Sequence, residues 1–187
     1  NGEIYNFLEI RKELESANLA PAWRGHSDTE VLLAAFEAWG IGKTLHRCRG
    51  MFALALWDRE TRKLILARDA IGEKPLYAGI AKGLVVFGSE LKSVTAHPGL
   101  DLAINRNAAA LCLRHGYIPA PHSIYEAVIK LLPGEYVEID TSDPSLANWQ
   151  RHAYFDTIRE AQEARANRFS GSPEDAASEL DELLRKV

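Results

Sequence analysis

Met51 to Trp57 is a run of seven apolar residues. A charged stretch, Asp58-Arg59-Glu60-Thr61-Arg62-Lys63, follows it, and Leu64 to Ala67 is apolar again. The runs are too short and too punctuated for helices, and the charged stretch reads as a turn between two strands. Strands apolar at successive positions are apolar on both faces, so a sheet built from them must be covered on both sides. Leu76 to Ile80 and Leu84 to Phe87 look like a second hairpin across Ala81-Lys82-Gly83.

Helical patterns flank this region. Asn6 with Glu9 resembles a capping box, and Phe7, Ile10, Leu14 and Ala17 then repeat at helical spacing. Ser27 with Glu30 is a stronger capping box before the apolar face Val31, Leu32, Ala35, Phe36 and Trp39, which Gly40 ends. A short helix is expected over 89–96, and another around 107–114. Tyr117-Ile118-Pro119-Ala120-Pro121 excludes a regular helix or central strand. Tyr136 to Asp140 reads as a strand, and 141–150 is polar and turn-rich. Helices are expected over 158–168 and from Ser172 into the C-terminus, with Pro173 in the first turn. Helices, then a buried antiparallel sheet, then more helix give an α+β class.

Composition bounds the function. With 47% hydrophobic and 26% charged residues, the chain has material for a sizeable core. A net charge of −4 gives no electrostatic reason to expect nucleic acid. No apolar run approaches the roughly 18 residues of a membrane helix, and no secretion signal opens the chain. Cys48 and Cys112 have neither metal-ligand nor disulfide spacing, and a cytoplasmic setting is the simplest expectation. Both cysteines read as small buried apolar residues.

Asn1-Gly2-Glu3 is the first candidate site. Asn-Gly is a turn pair, because both residues tolerate positive φ. Such a turn gathers a side-chain amide and backbone N–H groups that can cradle an oxyanion. The adjoining Glu3 could hold a ligand's ammonium group.

Several segments in order resemble one family. They are Asn1-Gly2-Glu3-Ile4-Tyr5-Asn6, Ser27-Asp28-Thr29-Glu30-Val31, Gly50-Met51-Phe52-Ala53 with Trp57-Asp58, Arg68-Asp69 through Gly72 with Lys74-Pro75-Leu76-Tyr77, and Gly88-Ser89-Glu90-Leu91-Lys92. With Gly116-Tyr117-Ile118-Pro119-Ala120-Pro121 and Leu132-Pro133-Gly134, they are similar to the glutamine-dependent asparagine synthetases. In that family a class II amidotransferase half hydrolyses glutamine. A synthetase half uses ATP and Mg to activate aspartate for the released ammonia.

The resemblance implies an N-terminal nucleophile hydrolase-type sandwich, with a β-sheet layer covered by helices, over residues 1–97. It implies a mostly helical interdomain linker over 98–156 and the start of the synthetase domain over 157–187. Asn1 and Gly2 take the oxyanion role. Gly2, Glu3 and Asp28 take the glutamine substrate, with the two carboxylates at its ammonium end. Neither ATP nor Mg is expected on residues of this chain. The partners implied are glutamine and the synthetase domain, and a homodimer is allowed.

Two departures stand out. The family's nucleophile is an N-terminal cysteine whose own α-amine acts as base, but residue 1 is asparagine. The family's ATP loop is not in the sequence either. The chain therefore reads as an internal fragment, inactive alone. Arg68, Asp69 and Lys74 read as a structural ion-pair turn. Two other readings stay open: a non-catalytic module binding glutamine or a partner domain, and an amidotransferase serving another acceptor, for example in surface-polysaccharide modification.

Overall fold

The structure is a computed structural model, and it describes residues 1–185. The chain forms two compact units, 1–155 and 156–187.

The first unit is built on two antiparallel sheets. Five strands run in the order β1-β2-β3-β7-β8, and three in the order β5-β4-β6. The large sheet comprises β1 (Gly2–Ile4), β2 (Gly50–Asp58), β3 (Lys63–Arg68), β7 (Glu135–Asp140) and β8 (Gln150–Ala153). The smaller one comprises β4 (Tyr77–Ala81), β5 (Leu84–Gly88) and β6 (Val128–Lys130). The expected β2–β3 hairpin forms, and Asp58 Oδ1 accepts from the N–H groups of Glu60 and Thr61 to close its turn.

The alternation of β2 and β3 explains their unbroken apolar runs. Phe52, Leu54, Leu56 and Ala67 pack with Ile10, Leu14, Val31, Ala35, Phe36 and Leu45 from α1 (Phe7–Ser16), α2 (Asp28–Trp39) and α3 (Ile41–Arg47). Ala53, Leu64 and Leu66 pack the other way, with Leu76, Ala78, Leu131, Val137 and Ile139. The large sheet is thus covered by helices on one face and by the second sheet on the other. That corrects the expectation of helices as the cover: the apolar 76–88 hairpin is itself the second layer. On the far side of that layer, Val94 of α4 (Leu91–Thr95) packs with Ala81, Leu100 and Val128.

The expectation of a mostly helical segment over 98–156 is also corrected. It holds α5 (Arg106–His115), but β6, β7 and β8 follow. β6 pairs with β4, and β7 with β3, Leu66 lying opposite Val137. Val128, Val137 and Ile139 are buried in these pairings, and their burial fixes the segment as sheet. Helix α3 was not anticipated either, because Gly40 and Gly42 mask it. Gly42 lies where a Cβ would stand 3.4 Å from the Tyr136 hydroxyl.

The caps differ in detail. Ser27 Oγ accepts from Glu30 N–H at 3.2 Å, but the Glu30 carboxylate turns to the N–H groups of Arg24 and Gly25. The Asn6 side chain does not cap α1. Its Oδ1 accepts from Arg49 N–H at 2.8 Å, and its Nδ2 donates to the Arg47 carbonyl.

The second unit contains α6 (Thr157–Ala166) and α7 (Pro173–Leu184). Asp156 caps the first, and Ser172 with Asp175 forms a full capping box on the second. The last two residues of the expected C-terminal helix, Lys186 and Val187, lie outside the described residues.

Candidate active site

Antiparallel pairing aims the first strand. Asn1 N donates to the Ala53 carbonyl at 3.0 Å, and Ala53 N donates to the Asn1 carbonyl at 2.8 Å. Asn1 and Ala53 are therefore a hydrogen-bonded pair, and the next pair, Gly2–Phe52, is of the other kind. The Gly2 N–H is turned away from β2, toward the outer edge of β1. Ile4 N–H, two residues on, points the same way and donates to Asp28 Oδ2 at 3.0 Å.

Gly2 also explains its own identity. Its φ is +133°, and a Cβ there would run into the Met51 carbonyl and lie 2.6 Å from Phe52 Cα. No residue larger than glycine fits so close to β2.

A cavity of about 430 Å³ opens beside this edge. Asn1 lines it with Gly2 and Glu3 of β1, Asp28 and Thr29 from the start of α2, and Phe87 and Gly88 of β5 with Ser89 just beyond. Phe52, Leu54 and Leu76 supply apolar surface. The four residues expected at a site, Asn1, Gly2, Glu3 and Asp28, are thus brought together, although Asp28 is 25 positions beyond Glu3 in the chain.

Their surroundings differ. Among the described residues nothing donates to the Glu3 carboxylate, which is exposed. Asp28 is more engaged: Oδ2 takes the Ile4 N–H, and Oδ1 takes Thr29 N–H at 2.8 Å. It ties α2 to β1 while still lining the cavity. Sequence reasoning left Ser89 without a role. Its Oγ accepts from Asn1 Nδ2 at 3.3 Å, across the cavity from β1.

No thiol lines the cavity. Cys48 packs against the helix-side core, and burial pushes its thiol up to about 12. Cys112 lies on α5.

The Arg68–Asp69 turn is not an ion pair. Among the described residues Arg68 has no carboxylate partner within 4.0 Å. Its guanidinium donates to the carbonyls of Lys74 (2.7 Å), Leu131 (2.8 Å) and Gly72 (2.6 Å). Asp69, wholly buried, accepts the N–H groups of Glu73 and Lys74. Burial lowers the Arg68 pKa, and the nearby Asp69 charge offsets part of that. The two side chains knit the 69–76 loop to the sheet and so place Leu76 in the cavity wall.

Comparison with known proteins meets this geometry directly. A family described as "Glutamine amidotransferase domain" matches residues 1–150. The chain belongs to the glutamine amidotransferase domain family. The match to this amidotransferase domain runs through β6, β7 and into β8, which the fold also builds into the first unit.

Curated relatives of this amidotransferase domain include two Bacillus subtilis proteins. "Asparagine synthetase [glutamine-hydrolyzing] 1" is 36% identical over 139 residues, 74% of this chain and 21% of the relative. "Asparagine synthetase [glutamine-hydrolyzing] 2" is 30% identical over 189 residues, 98% of this chain and 24% of the relative. The chain thus spans about a quarter or less of the length of these relatives. Among solved structures, glutamine phosphoribosylpyrophosphate amidotransferase from B. subtilis superposes with a TM-score of 0.54 at 20% identity. It matches 82% of this chain and 28% of that one, and it supports the amidotransferase fold alone. Among the described residues no helix is long and apolar enough to cross a membrane.

Proposed function

We propose that residues 1–155 form the glutamine-handling part of a glutamine-hydrolysing amidotransferase of the asparagine synthetase type. One observation carries this reading. Asn1, Gly2, Glu3 and Asp28, which the motifs nominate from two separated segments, line a single cavity.

The chemistry follows from their placement. Glutamine has an ammonium and a carboxylate at one end and a neutral amide at the other. The exposed carboxylate of Glu3 and the half-buried one of Asp28 hold the ammonium. The apolar wall of Phe52, Leu54 and Leu76 takes the methylenes. Attack on the amide carbon builds negative charge on its oxygen, and the outward Gly2 N–H and the Asn1 Nδ2 stabilise that charge.

The attacking group is a thiol outside residues 1–187. Cys48 is held protonated and lies away from the cavity. The hydrolysis products are glutamate and ammonia. Ammonia passes to a synthetase domain that binds ATP and Mg, activates aspartate and forms asparagine. Residues 157–187 are the beginning of that domain. The match to the second B. subtilis relative, 30% identical over 98% of this chain, extends into this segment. The 187-residue chain alone releases no ammonia from glutamine.

The test is product analysis of the full-length protein that carries these residues, given glutamine, aspartate, ATP and Mg. Stoichiometric glutamate and asparagine support the proposal. Glutamate without asparagine overturns the acceptor and keeps the amidotransferase. Ammonia release by the isolated chain overturns the external nucleophile.

A further inference from the structure

Resting on the amidotransferase reading, we propose that Ser89 is a positioning residue that orients the Asn1 amide as an oxyanion donor. Asn1 is fixed at its backbone by the paired bonds to Ala53 at 3.0 and 2.8 Å. Its side chain is not fixed by that ladder. The terminal torsion of asparagine is broad and roughly two-fold, so an amide plane without a partner samples many directions.

The bond from Asn1 Nδ2 to Ser89 Oγ, at 3.3 Å, supplies that partner. An amide nitrogen has two hydrogens. One is spent on Ser89, which leaves the other for the cavity that both residues line. Ser89 directly follows β5 of the second sheet, whereas Asn1 directly precedes β1 of the first, so the bond links the two layers beside the cavity.

Ser89 is itself held in place. It stands between β5 and α4, and the next turn is locked by Ser93, whose N–H and Oγ both donate to the Glu90 carbonyl at 3.1 and 2.6 Å. Val94 anchors α4 in the core with 1% exposure. A Cβ at Gly88 would run into Ser93 Oγ, so the approach to Ser89 is close-packed.

A residue acting through Asn1 leaves a particular kinetic trace. The oxyanion develops in the transition state and tetrahedral intermediate and not in bound glutamine, so misplacing its donor lowers kcat and spares KM. The experiment is steady-state glutamine hydrolysis by the full-length protein with Ser89→Ala, Ser89→Thr, Asn1→Ala and the Ala/Ala double substitution. The expected result is a kcat loss of about 10- to 100-fold in Ser89→Ala with KM within about twofold. Ser89→Thr, which keeps the hydroxyl, recovers most of the rate. The double variant is no slower than Asn1→Ala alone, because the two act as one unit.

An unchanged kcat in Ser89→Ala overturns the inference. So does a rise in KM alone, which would make Ser89 a substrate contact, or full additivity in the double variant. A wild-type protein with no glutamine hydrolysis overturns the amidotransferase reading and this inference together, which separates the two failures.

Discussion

At the scale of single residues, the site is defined by what each side chain is free to do. Glu3 and Asp28 are both carboxylates on one cavity, but Asp28 already takes two backbone N–H groups. It therefore holds α2 against β1 as well as lining the cavity. Gly2 is where backbone geometry decides chemistry, since only glycine allows β1 to lie so close to Met51 and Phe52. Cys48 shows the reverse case, a reactive group made inert by its surroundings. Its pKa is raised to about 12, so the protonated thiol persists throughout the neutral and mildly alkaline range. We expect iodoacetamide at pH 8.5 to modify Cys48 slowly in the folded protein and readily after denaturation in urea, as read by peptide mass spectrometry. Equal rates in the two states would contradict the burial that causes the shift.

At the scale of elements, much was legible because pattern and burial agree. The apolar run 51–57, its charged turn and 64–67 could only be a covered hairpin, and β2 and β3 are that hairpin. Ser27 read as a helix cap, and it is one. What escaped the sequence depended on distant partners. Nothing local distinguishes a second sheet from helices as the cover of β2, because both present apolar side chains. The Asn6 amide could cap α1 or bond elsewhere, and the loop at Arg47 and Arg49 wins. Around the cavity, motifs nominated Asn1, Gly2, Glu3 and Asp28, which do line it, whereas Ser89's partner lies 88 positions away in sequence. The strand β7 gives the sharpest test at this scale. Val137 is fully buried opposite Leu66. Val137→Asp places a carboxylate between two sheets and should cost on the order of 3 kcal/mol or more. A lowered urea midpoint for the first unit checks this. An unchanged midpoint would mean that residues 128–153 are not integral to its core.

At the scale of the whole molecule, residues 1–155 are a sandwich whose two sheets both line one cavity of about 430 Å³. Asn1 and β1 line it from the edge of one sheet, Ser89 in the β5–α4 turn accepts from the Asn1 amide, and α2 contributes the Asp28 carboxylate. The elements of one site are therefore spread across three layers, which is why no single stretch of sequence contains it. The account's central claim is that this cavity stabilises the oxyanion of glutamine hydrolysis through Asn1. The most direct measurement is kcat for ammonia release from glutamine by the full-length protein, wild type against Asn1→Ala. Loss of one such donor predicts a fall of about 100- to 1,000-fold in kcat. Wild-type hydrolysis that persists undiminished in Asn1→Ala would contradict the account.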